Sequence, residues 1–236
     1  MKVLITRPLP DAQAFAALCE AAGLEPVICP LMRQVFHDRE PNMGGVGALA
    51  FTSANGVRAF VRVEGARALP TFAVGEATAK EAGAACFQNV FIAGGDVSSL
   101  SQLVDAKRHG FAGDVLHIAG THQAGDLIGA LGELGIPARR EVIYEMQEAE
   151  GLPLVLNETL EAGAEGLWAP LFSPRTAALF VRLVVKAGLD SALKTAHAAC
   201  LSTAVAEEAS ALKWKSIEIA KERNSASMVE MMAKKA

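Results

Sequence analysis

Along this 236-residue chain, short apolar runs alternate with stretches whose apolar residues recur every three or four positions. "KVLIT" precedes "AQAFAALCEAAG", "ALAFT" precedes "VRAFVRV", "TFAVG" precedes "ATAKEAG", and "VLHIAG" precedes "DLIGALGELG". An apolar run bounded by turn residues marks a strand buried on both faces, and a 3.6-residue period marks a helix laid against it. In the first helical stretch Phe15, Leu18, Cys19 and Ala22 keep that period, and Gly23 supplies a left-handed stop. Leu127, Ile128, Leu131, Leu134 and Gly135 repeat the arrangement. The alternation predicts an α/β fold built on parallel sheets with helices on both faces.

The strand-led units form two ordered series. "VLITRP", "PVICP", "FTSANG", "FAVGEATA" and "FIAGGDVSSL" are followed in the same order by "LHIAG", "REVIYE", "LFSPRT", "CLSTAVAEEA" and "IEIAKERNSASM". Partners lie roughly 112 to 128 positions apart, a drift that loop-length variation explains. Taken literally, the series describes two tandem domains meeting near residue 112, and the length suits two compact units. Two polar stretches, "LMRQVFHDREPN" and "IYEMQEAEGLP", read instead as extended connectors and suggest a different cut.

Composition narrows the partners. A chain that is 51% hydrophobic and 20% charged, with a net charge of −4, is a globular protein without an electrostatic grip on nucleic acid. Cys19, Cys29, Cys86 and Cys200 are widely spaced and read as reduced, buried packing residues of a cytoplasmic protein. "MKVLITRPLP" is too short an apolar run for a secretory segment, and no run reaches the ~18 apolar residues of a membrane span.

Candidate chemistry concentrates where strands run into helices. In open parallel sheets ligands collect at the carboxyl ends of strands, where helix N-termini present unpaired N–H groups and partial positive charge. Ser53, Thr78, Ser98, Ser173, Thr203 and Ser225 stand at or near such entrances. Any one of them is accounted for as a cap; several around one groove form an anion-binding surface. Arg7, Arg58 and Arg175 lie close by; Arg175 suits a two-pronged contact with a ligand carboxylate, whereas Arg58 reads as a solvated surface arginine. "GGVGALAF" and "AGGDVSSL" fit neither glycine-rich phosphate-binding pattern, so no nucleotide cofactor is expected. His37, His109, His117, His122 and His197 lack metal-ligand spacing, and no GxSxG elbow occurs. Tyr144 in "REVIYEM", the sole tyrosine, is either a half-buried strand aromatic or a phenol that stays protonated at neutral pH and donates to a leaving oxygen.

Taken together, "ITRP", "FTSANGVRAF", "VGEATAKEA", "AGGDVSSLSQL", "HIAG" through "LGELGI" to "VIYE", "LFSPRTAALF", "CLSTAVAEEA" and "NSASMVEMM" occur in an order that resembles the uroporphyrinogen-III synthase family. These heme-pathway enzymes close the linear tetrapyrrole hydroxymethylbilane while inverting its last pyrrole ring. The resemblance covers almost the whole chain. It implies two similar, flavodoxin-like parallel-sheet α/β domains joined by a two-strand linker, one of them discontinuous. Residues 1–35 with 149–236 would form domain 1 and 38–144 domain 2, with linkers near 33–38 and 144–150. The family's substrate lies between its domains, its carboxylates held by backbone amides and small polar side chains. Carried over, this implies substrate contacts from Thr52, Ser53 and Asn55, Gly75 and Thr78, Gly120, Ser173 and Thr176, and Ser202 and Thr203. Arg7 and Arg175 join that set from the reading above.

Tyr144 matches the family tyrosine proposed to assist departure of the substrate hydroxyl. The family implies no cofactor and no metal, and a monomer without nucleic-acid or membrane partners is expected. Two departures stand out. Val205 replaces a threonine common in relatives, which weakens donor capacity there, and Pro170 in "GLWAPLF" puts the local strand pairing in doubt. The residues alone leave two other readings: a cytosolic two-domain binding protein or sensor for a small carboxylated ligand, and a flavodoxin-like redox module.

Overall fold

The computed structural model describes residues 1–63, 66–122 and 125–235. The chain separates into one unit of Met1–Arg33 with Gln147–Ala236 and a second of Gln34–Met146. No boundary falls near residue 112, because the strands on either side of it share one sheet. Hydrophobic periodicity finds elements but carries no information on which strands pair, so the tandem cut does not survive.

Unit 1 contains β1 (Lys2–Ile5), α1 (Asp11–Ala21) and β2 (Glu25–Ile28). The connector β3 (Met32–Phe36) leads into unit 2: β4 (Val46–Phe51), α2 (Ala54–Phe60), β5 (Pro70–Ala73), α3 (Glu76–Ala84), β6 (Asn89–Ile92), α4 (Val97–Lys107), β7 (Asp114–Gly120), α5 (Leu127–Glu133) and the long β8 (Ala138–Glu148). The chain then returns to unit 1 with α6 (Leu154–Glu161), β9 (Trp168–Leu171), α7 (Pro174–Lys186), β10 (His197–Cys200), α8 (Thr203–Ala209), β11 (Ser216–Ile219) and α9 (Ser225–Ala233). The sheet orders are β11-β10-β9-β1-β2 and β3-β8-β7-β4-β5-β6. Matching the two sequence series element by element turns one order into the other, so each sheet holds one copy of each repeated unit. The ladders within each set of five are parallel. The extra strand β3 runs against β8, with the His37 amide donating to the Ile143 carbonyl and the Ala149 amide to the Leu31 carbonyl.

Alternation within the strands divides each core by face. In unit 2, Leu49, Phe51, Leu116 and Ile118 pack with Val57, Phe60 and Phe87 on one side. Ala48, Ala50 and Val115 pack with Leu100, Val104, Leu127 and Leu131 on the other. In unit 1, Val3 and Ile5 pack with Phe15, Cys19, Met228 and Met232. The buried stripe of α1 is Ala12, Phe15, Ala16 and Cys19, while Leu18, expected on it, is exposed. Among the described residues, no helix is long and apolar enough to cross a membrane.

Pro170 lies inside β9, a central strand, and keeps register with Ala199 of β10. The Leu167 carbonyl accepts from His197 in β10 and the Leu171 carbonyl from Leu201 just past it, so by alternation residues 168 and 170 direct their backbone groups toward β1. The missing proline N–H therefore falls on the β1 side, where the pairing is Val3 with Trp168. No bulge forms toward β10; the ladder toward β1 is thin instead.

Cys86 corrects the expectation of four buried cysteines, since it is exposed and adopts a φ of 63°. It sits one residue past the cap of α3, and its amide and that of Phe87 donate to the Gly83 and Ala82 carbonyls. The corresponding position after α1, α5, α6 and α7 is glycine: Gly23, Gly135, Gly163 and Gly188, each with positive φ. Helix termination, not burial, fixes the backbone at Cys86.

Candidate functional site

In unit 2 the polar residues gather at the carboxyl ends of β4, β7 and β8. Ser53 caps α2 in extended conformation, its Oγ accepting from the Gly56 amide at 3.2 Å. The same Oγ lies 2.9 Å from the Tyr144 hydroxyl, so the phenol is tied to a helix entrance. The Tyr144 ring is buried against Gly120, where even a methyl group would be 2.7 Å from Cε2. Burial pushes the phenol's pKa above its ordinary value against the pull of Ser53, Gly120 and Arg140, which keeps it protonated at neutral pH.

Thr52 and Asn55 flank this pair. Thr52 Oγ1 is 3.0 Å from His117 Nε2. Asn55 is engaged internally, its Oδ1 accepting from Arg58 and its backbone carbonyl from Gln34. Gly75 caps α3 without a side chain, Thr78 in the first turn is buried, and the acidic Glu76 of that turn is exposed. Ser98 lies in the first turn of α4, whose cap is Asp96.

Unit 1 presents a second carboxyl edge. Ser173 caps α7, with Pro174 in the first turn, and its Oγ is 3.2 Å from the Thr176 amide and 2.9 Å from Thr176 Oγ1. Ser202 caps α8 through its backbone carbonyl, so its hydroxyl is not used on the helix, and Thr203 beside it is exposed. Arg7 follows β1 and stacks 4.2 Å over the Phe172 ring; it pairs with Asp11 at 3.2 Å and reaches Ser225 Oγ at 3.4 Å. Arg175 places Nε and a terminal nitrogen 3.1 and 3.0 Å from one Glu148 oxygen, while Arg182 takes the other oxygen. Burial works to raise the Glu148 pKa, but the hydrogen bonds from Arg182 and Arg175 outweigh it and hold the carboxyl below the usual range. The two-pronged contact read for a ligand is thus made with an internal carboxylate.

Three expectations change. Arg58 is not a solvated surface group: its side chain is 15% exposed and pairs with Glu81 at 2.8 Å, because α2 and α3 pack side by side. Val205 is 1% exposed and points into the core, so a threonine there would not donate outward, and the substitution leaves the edge unaltered. His117 and Arg140 were absent from the expected set. Strand alternation places His117 beside Ala50 and Val115 on an otherwise apolar face, and a lone histidine in "VLHIAG" is the signal that finds it. Arg140 is its register neighbour on β8 and donates to the Gly120 and Thr121 carbonyls.

Comparison with known proteins bears on this arrangement. The family model described as uroporphyrinogen-III synthase HemD matches residues 13–230. A Methanocaldococcus jannaschii protein, provisionally named a uroporphyrinogen-III synthase, is 43% identical over 58 residues, or 24% of this chain and 24% of that protein. The match thus spans about a quarter of that relative's length. In fold, the chain is similar to the crystal structure of uroporphyrinogen-III synthetase from Helicobacter pylori, with a TM-score of 0.67 at 19% identity over 100% of this chain and 99% of that one. It is also similar to a triply substituted uroporphyrinogen III synthase from Thermus thermophilus, with a TM-score of 0.53 at 20% identity over 100% of both chains. At these identities the structural likeness speaks to fold.

Proposed function

The chain belongs to the uroporphyrinogen-III synthase family, and from that premise we propose that it converts hydroxymethylbilane to uroporphyrinogen III without a cofactor. The observation that carries the reading is the Tyr144–Ser53 pair: a protonated phenol, 2.9 Å from a helix-capping hydroxyl, at the carboxyl edge of a parallel sheet. The electron pair of the substrate's pyrrole nitrogen expels the hydroxymethyl oxygen, which takes a proton supplied through this pair and leaves as water. The azafulvene-type electrophile so formed is attacked by the substituted carbon of the far pyrrole. The resulting spirocycle fragments and recloses at the free carbon with that ring reversed, and the proton lost from that carbon balances the one given to the departing water.

Positioning does most of the work, because the free carbon of the far ring competes for the same electrophile. Holding the substituted carbon nearer is worth several kcal/mol, within the roughly 7 to 11 kcal/mol available from orientation. The substrate's acetate and propionate groups suit the helix entrances of both units. We assign to this binding Thr52, Ser53, Gly75 and Gly120 in unit 2, and Arg7, Ser173, Thr176, Ser202 and Thr203 in unit 1. Asn55, Thr78 and Arg175 shape these edges from behind, since their side chains are internally engaged or buried. The enzyme is read as a cytoplasmic monomer.

Supplying hydroxymethylbilane and separating the products by isomer tests the proposal. Type III product in excess of the spontaneous type I supports it. Type I alone leaves a binding protein for carboxylated ligands and sinks it.

A further inference from the structure

His117 is buried at the middle of β7, on the apolar face that carries Ala48, Ala50 and Val115. Nothing in the reaction proposed above uses it. Its Nε2 is 3.0 Å from Thr52 Oγ1, and its Nδ1 has no hydrogen-bond partner among the described residues. Burial, and then the charge of Arg140, push its pKa down to about 4, with Asp126 opposing weakly, so the ring is neutral in the working pH range. A neutral imidazole carries one N–H. Putting it on Nδ1 would leave a buried donor orphaned, whereas putting it on Nε2 makes a hydrogen bond and leaves only a bare lone pair, the less costly omission.

The consequence falls on Thr52, which is half-buried at the end of β4 and whose hydroxyl has His117 as its hydrogen-bond partner. A serine or threonine hydroxyl ordinarily donates or accepts as its surroundings require. Once Nε2–H occupies an acceptor site on Thr52 Oγ1, the hydroxyl proton has to turn elsewhere, and the open direction is the carboxyl edge. We propose that His117 is a positioning residue: by donating Nε2–H to Thr52, it fixes that hydroxyl as a dedicated donor to a ligand carboxylate. The arrangement supplies a donor to an anion without bringing a second buried cation to the edge. The substrate side of this inference rests on the proposed function; the histidine's tautomer does not.

The test has two arms, both on the full-length protein. A long-range proton–nitrogen spectrum of histidine-labelled protein at neutral pH distinguishes the two tautomers, with His117 identified by the signals missing from His117→Gln. Protonated Nε2 with bare Nδ1 is expected, and the opposite tautomer overturns the proposal whatever the catalytic result. In the second arm, His117→Leu removes the donor, whereas the Gln side-chain amide restores one near the Nε2 position. With hydroxymethylbilane as substrate, loss of one charge-directed hydrogen bond should raise KM on the order of tenfold in His117→Leu with kcat little changed. His117→Gln should recover most of that loss, and Thr52→Val should match His117→Leu without adding to it in the double variant. A folded His117→Leu with wild-type KM, or a loss that adds to that of Thr52→Val, overturns the proposal. If wild-type protein yields only type I product, the proposed function fails, and the spectrum alone decides the role of His117.

Discussion

Replacing Gly120 by alanine should disturb unit 2 through a single contact. A methyl group at this position lies 2.7 Å from Tyr144 Cε2 and 2.8 Å from Cζ, where ordinary contacts begin at 3.4 Å. Ring or strand must therefore retreat by ~0.7 Å, a distance set by van der Waals contact in a close-packed interior. The ring has little room, being 6% exposed in a cluster with Leu49, Phe51, Ile118 and Ile143. Overpacking of this kind costs about 1 to 3 kcal/mol. A retreat of that size also stretches the 2.9 Å bond to Ser53, adding about 1 kcal/mol. The expected total is roughly 2 to 4 kcal/mol. Trp168 and Trp214 both lie in unit 1, whereas the single tyrosine lies in unit 2, so tyrosine absorbance in a urea titration reads the affected unit. The control is Tyr144→Leu, which removes the ring edge; on that background, followed by far-ultraviolet circular dichroism, the alanine should cost less than ~0.5 kcal/mol, since contacting sites couple strongly. Equal costs in both backgrounds would refute the argument, because the methyl group would then be meeting something other than the ring.

Tyr144→Phe should fold normally and slow type III synthesis by about 100-fold or more if the phenol supplies the proton, and an unchanged turnover would reduce it to packing. His117 should make the protein acid-sensitive: with its folded pKa near 4 and an unfolded value near 6.5, the unfolded chain binds more protons between these values. Stability contributed by the neutral ring is therefore present above about 6.5 and is lost as pH falls toward 4, up to about 3 kcal/mol. His117→Gln should flatten that part of a stability-versus-pH curve. Cys86→Gly should raise stability by about 0.5 to 1 kcal/mol in a urea titration, because glycine holds a positive φ without steric cost.

Much of this structure is legible in the order of residues. Strands and helices follow from alternation, and the two matched series each contribute strands to both sheets, which share one internal order. The pairing of "KVLI" with "WAPL" is not legible, because β1 and β9 meet across a sequence distance that no local period spans. Helix entrances could be read because a small polar residue after an apolar run has a local physical cause, and Ser53 and Ser173 cap as the pattern says. Side-chain pairing beyond the helix is another matter. Arg58 with Glu81, Arg175 with Glu148 and His117 with Thr52 each join different elements, and a residue's type does not name a distant partner.

The slim seam between β1 and β9 has a bearing on how the protein is made. The strands β1 and β2 are synthesised well before β9, which supplies the flank they lack. Gln34–Met146 comes between, carrying β4 to β7 and most of β8. During elongation the intervening unit can close its hydrophobic core before unit 1 does, while the β1–β2 segment stays tethered with one edge bare. The nascent chain is then most open to chaperones, or to a wrong partner, in the interval before Trp168 clears the ribosome.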